Sequence, residues 1–62
     1  MTTKVDVSVP EAAPWEVIVL TEDHLFGEEW RVTGCDILGA GASRTYYCTD
    51  SRRVRVSERK KP

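Results

Sequence analysis

Polar and apolar residues alternate near the start of the chain, where Val5, Val7 and Val9 are spaced by Asp6 and Ser8. A period of two puts the three valines on one face of a half-buried strand. Pro10 has no N–H to offer a ladder and ends that strand. Residues 10–14 then form a short stiff connection between Pro10 and Pro14. A second strand follows as Trp15, Glu16, Val17, Ile18, Val19 and Leu20, and it is apolar on both faces over its last four positions. That pattern predicts a central strand covered on both sides at that end.

The alternation lapses over residues 21–29. Thr21 is a candidate cap for one helical turn over residues 22–26 closed by Gly27, and a broad loop fits as well. Trp30 and Val32 flank Arg31, which predicts a third strand over residues 29–33 broken by Gly34. Residues 35–38 are a short apolar piece of undetermined type. Gly39, Ala40, Gly41, Ala42 and Ser43 read as a flexible turn. Residues 44–49 predict a fourth strand with Tyr46 and Cys48 on one face and Thr45 and Tyr47 on the other. Asp50 suits the first position of a turn. Val54 and Val56 mark a fifth strand, and the basic tail over residues 58–62 is expected to fray.

Five short strands with frequent turn signals predict an all-β fold, a single domain over residues 1–57. The expected architecture is a small antiparallel, partly open barrel, SH3-like or OB-like, with at most one helical turn. A simple meander is the alternative. Closing the sheet would remove edges that so short a chain can hardly cover otherwise.

Sixty-two residues bury little. Apolar burial and the ordering of the chain each come to about 90 kcal/mol and nearly cancel. A disulfide, a partner or self-association would then decide stability. With 40% apolar and 31% charged residues the composition is that of a globular protein. No apolar run reaches the length of a membrane helix, and the first ten residues lack the continuous apolar stretch of a secretory signal. The expected compartment is the cytoplasm, or a host cytoplasm for a virus-encoded accessory protein.

Charge changes the picture. Residues 1–43 hold eight acids against Lys4 and Arg31, whereas residues 44–62 hold seven cations against Asp50 and Glu58. Such asymmetry points either to charged partners or to oppositely charged strands lying side by side. Two candidate surfaces follow. The acidic, aromatic segment with Glu22, Asp23, Phe26, Glu28, Glu29 and Trp30 combines anchors and a charged rim suited to a protein partner. The basic hairpin and tail, with Arg44, Arg52, Arg53, Arg55, Arg59, Lys60 and Lys61 around Tyr46 and Tyr47, would suit single-stranded nucleic acid.

Catalysis has little to stand on. The single histidine, His24, lies in the acidic segment away from Ser43 and Ser51, and a domain this small has little room for a water-excluding cleft. Cys35, Cys48 and His24 lack zinc-ligand spacing, so no metal or cofactor is expected. The two cysteines are expected as free, apolar core residues, with a disulfide the alternative in an oxidising setting. The glycine-rich turn lacks the lysine and the following helix of a phosphate loop. The expected function is a non-catalytic module that binds an unidentified protein, with nucleic-acid binding second.

Overall fold

A computed structural model describes residues 1–61. It holds five strands and, among these residues, no helix: β1 (Thr3–Ser8), β2 (Trp15–Asp23), β3 (Arg31–Leu38), β4 (Ser43–Cys48) and β5 (Arg52–Lys60). All pairings are antiparallel. β1 pairs with β4, and β2 lies between β3 and β5. No helix among these residues is long and apolar enough to cross a membrane.

The all-β expectation stands, but the barrel does not close. The two ladders remain separate sheets in a body of 42 × 24 × 11 Å with a radius of gyration of 13.0 Å. A compact chain of this length would have about 10.5 Å. Among the described residues only Val9, Ala13, Val17, Val19 and Leu38 are buried apolar residues. Five small side chains cannot fill a closed barrel, whose interior must be packed solid.

The expected helical turn over residues 22–26 is absent because Glu22 and Asp23 have better partners in extended form. In the β2–β5 register Glu22 faces Arg53 and Asp23 faces Arg52, so β2 runs on to Asp23. The chain then reverses at residues 25–28. Glu28 N–H donates to the Leu25 carbonyl at 2.9 Å, and Gly27 takes the positive φ of 81° that a type II turn needs at its third position.

Gly34 does not break β3. The ladder slips instead: Thr21 faces Gly34 but Glu22 faces Val32, leaving Thr33 as the extra residue of a bulge. The Thr33 hydroxyl turns to Asp23 and donates to Oδ2 at 2.9 Å. Residues 35–38 therefore belong to the same strand as Arg31. β5 is also longer than expected. It continues through Glu58, Arg59 and Lys60, opposite Val17, Glu16 and Trp15, where a fraying tail from residue 58 was predicted. The Arg59 guanidinium explains the extension, donating to Glu16 Oε1 at 2.6 and 2.9 Å. Residue 62 lies outside the described residues.

Between β4 and β5 the turn starts one residue before Asp50. Thr49 and Arg52 exchange backbone hydrogen bonds, and Thr49 Oγ1 accepts the Ser51 N–H at 3.2 Å.

The core lies between the sheets. Val17, Val19 and Leu38 from the larger sheet meet Val9 and Ala13, with Val7, Trp15, Ala42, Tyr46 and Val54 packed around them. Asp36 bridges the sheets on the same side, accepting from the Tyr46 hydroxyl at 3.0 Å and from Arg44 Nη1 at 2.9 Å. The core is smaller than predicted. Cys48 is half-buried, but Cys35 is exposed, since it faces Leu20 on the opposite side of the sheet from Val19. Neither thiol is bonded. Trp30 is half-buried outside the core. β2 is central in its sheet, but the second sheet covers only its inner face; on the other face Ile18 and Leu20 are half-buried among neighbouring side chains, short of the two-sided cover that its sequence predicts.

Candidate functional site

The acidic segment divides in two. Glu22 and Asp23, at the end of β2, are drawn into ion pairs. Glu22 is 6% exposed, with Arg53 Nε at 2.9 Å and Arg55 Nη1 at 3.8 Å from its Oε1. Asp23 takes a two-pronged contact from Arg52, Nε to Oδ1 at 2.6 Å and Nη2 to Oδ2 at 2.9 Å. That guanidinium, helped by the Thr33 hydroxyl, holds the Asp23 carboxyl below its usual range against a smaller opposing effect of desolvation. The same contact raises Arg52.

The remainder of the segment faces solvent. Phe26 is fully exposed at the tip of the turn, Leu25 is mostly exposed beside it, and Glu28 and Glu29 follow it in the open. His24 fastens the loop to the rest of the fold. Its N–H donates to the Ser51 carbonyl at 3.0 Å, and its ring nitrogens lie 3.3 Å from the carbonyl oxygens of Leu25 and Asp50. The ring also packs on Trp30 with centroids 4.0 Å apart, and the Arg53 guanidinium carbon sits 4.3 Å from the Trp30 ring centre. Glu22, Arg53, Trp30 and His24 thus form one connected cluster beneath the exposed tip. Trp30 is part of the loop's support, and of the two aromatic anchors only Phe26 is free, with Leu25 exposed beside it.

The basic hairpin is largely neutralised from within. Arg44 pairs with Asp36, Arg52 with Asp23, Arg53 and Arg55 with Glu22, and Arg59 with Glu16. Five of the seven cations singled out in the sequence therefore lie beside a carboxylate, four of them on the adjacent strand β2 and Arg44 across the two sheets. Of the two tyrosines Tyr46 faces the core and Tyr47 faces out. Burial, followed by the hydrogen bond to Asp36, raises the Tyr46 phenol above its usual 10.0.

Other chemistry finds no centre. The hydrogen-bond partners of the His24 ring are carbonyls, with no hydroxyl or thiol nucleophile among them. No group of three or more His, Cys, Asp or Glu among the described residues is arranged to hold a metal. In the glycine-rich turn the Gly41 N–H donates to Val9 and Pro10 carbonyls and the Ala42 N–H to the Gly39 carbonyl, so these donors are already engaged. An open groove of about 320 Å³ beside the loop runs past His24, Leu25, Tyr47 and Arg52.

Sequence reasoning missed one surface. Ile18, Leu20, Cys35 and Ile37 share the face of the larger sheet that the second sheet does not reach; Ile37 is 54% exposed and Cys35 is exposed, while Ile18 and Leu20 are half-buried. The signal was present in the two-sided apolar character of residues 17–20, which was read as evidence of cover.

Comparison with known protein families, curated proteins and solved structures finds no match to this chain.

Proposed function

We propose that the chain is a non-catalytic protein-binding module whose contact is the loop over residues 24–30. Phe26 is the anchor, and Glu28 and Glu29 form a rim that selects a partner with an apolar pocket edged by basic groups. The observation that carries this reading is a fully exposed phenylalanine held on an ordered turn. A large apolar side chain in water gains most when it enters a pocket, and a fixed turn lowers the ordering cost of binding. The nucleic-acid alternative draws less support, because most of the arginines it needs already have carboxylate partners.

Affinity capture from the cells that express the protein, with and without nuclease, tests the choice. A protein that stays bound after nuclease and is lost on Phe26→Ala supports the loop as the contact. Phe26 carries no packing in the fold, so that variant keeps its structure. Capture that disappears with nuclease, and is unchanged by Phe26→Ala, favours the basic hairpin instead.

A further inference from the structure

We infer that the uncovered face of the β3–β2–β5 sheet is the interface of a homodimer, packed sheet on sheet about a twofold axis. This surface is separate from the Phe26 loop and does not depend on its role.

The pattern of β2 is the first reason. An antiparallel strand with one wet face shows clean alternation, and apolar residues on both faces mark a strand covered twice. β2 has Val17 and Val19 inward and Ile18 and Leu20 outward. Its register places Ile37 beside Ile18 and Cys35 beside Leu20, so the outward side chains form one apolar stripe across two strands. The second sheet covers only the inner face.

Area is the second reason. The chain exposes 4752 Å². A compact monomer of 7.0 kDa exposes ~4,000 Å² by size scaling. The excess of about 700 Å² is spread over the whole elongated chain, with Ile37 and Cys35 among the exposed residues, and it is of the same order as the ~800 Å² that each partner gives to a standard interface. One matching sheet supplies that cover at the usual spacing of stacked sheets.

Charge identifies the occupant as a second copy. The stripe is flanked by Glu16 with Arg59 at one end and Glu22 with Arg53 and Arg55 at the other. Carboxylates and guanidiniums are already paired on this face, so it offers no strong field to attract a charged partner and little repulsion against itself. A twofold axis needs such a self-complementary patch. Arg55, beside Leu20, can lay its stem on the stripe while its head stays near Glu22.

Sedimentation velocity on the full chain, from micromolar to millimolar concentration, tests this, together with the rate of thiol labelling at Cys35. The expected result is a concentration-dependent particle of twice the 7.0 kDa chain mass. Ile37→Lys should weaken it by about tenfold or more, whereas Phe26→Ala should leave it unchanged. In the wild-type chain, Cys35 labelling should slow as the dimer fills, a readout that needs no variant. A particle that stays monomeric throughout, a dimer indifferent to Ile37→Lys, a dimer lost on Phe26→Ala, or Cys35 labelling that ignores concentration would each overturn the inference. An edge-to-edge dimer would show itself by leaving Cys35 open to the reagent.

Discussion

Val19 and Val56 face each other across the β2–β5 ladder, on the same side of the sheet, yet Val19 is 0% exposed and Val56 is 51% exposed. Val54, two residues earlier on β5, packs on the core, so the small β1–β4 sheet covers that part of the strand and leaves Val56 in water. Val19→Ala should therefore cost about 2–3 kcal/mol, the transfer of two methyl groups plus a cavity. Val56→Ala should cost less than about 1 kcal/mol, since much of that side chain is already wet. Urea unfolding of the two variants measures both values. Equal losses would mean that the sheets overlap differently.

Asp36 joins the two sheets through Tyr46 and Arg44. Tyr46→Phe keeps the ring and deletes one hydrogen bond, and it should cost about 1 kcal/mol. The raised Tyr46 pKa adds a pH dependence with a definite sign. Above pH 10 the unfolded phenol ionises while the folded one stays neutral. Its contribution is complete below that pH and is lost as pH rises through the folded value. Stability should decline in that alkaline window, less steeply in Tyr46→Phe. Chemical denaturation across the window checks the difference in slope.

Glu22 and Glu16 make similar ion pairs at different depths. Glu22 has 7% of its side chain exposed and Glu16 has 16%, and their arginines are about half exposed. Removing Arg53 strips a buried carboxylate of its nearest donor and takes a cation from the Trp30 ring, so Arg53→Ala should cost about 1–3 kcal/mol. Arg59→Ala should cost less than about 1 kcal/mol, as exposed pairs do. Arg53→Ala should also change the tryptophan emission of the native state, and Arg59→Ala should leave the Trp30 contribution alone.

Asp23 sets the acid side. Its carboxyl is lowered first by the Arg52 hydrogen bond, so its contribution is present above the ordinary value of 3.8 and is lost as pH falls through the folded one. Asp23→Asn should flatten the acid limb of the stability profile while leaving the alkaline limb unchanged. Stability measured from pH 2 to 7 in both chains decides it.

Much of the fold was legible in the sequence because strand periodicity is a local signal. Val5, Val7, Tyr46 and Cys48 face the side that alternation assigns them. What failed depended on partners distant in the chain. The length of β2 and β5 rests on Glu22, Asp23 and Glu16 meeting Arg53, Arg52 and Arg59, some thirty to forty residues away. Periodicity has no access to that register. Gly34 looked like a stop, but its strand absorbs the irregularity with Thr33 as a bulge residue. The charge asymmetry was legible in both its readings, and only the register shows that carboxylates and arginines lie on adjacent strands. Of the candidate contact residues, Phe26, Glu28 and Glu29 are free, whereas Glu22, Asp23 and Trp30 support the loop from below.

The claim on which the functional reading turns is that the arginines of β4 and β5 hold this chain together and are not free for phosphate. Fluorescence anisotropy of a labelled single-stranded oligonucleotide, titrated with the protein at low and at moderate salt, tests it most directly. The expected result is no saturable binding at either salt concentration. Binding that saturates at low salt and weakens steeply as salt is added, the mark of counterion release, would contradict it.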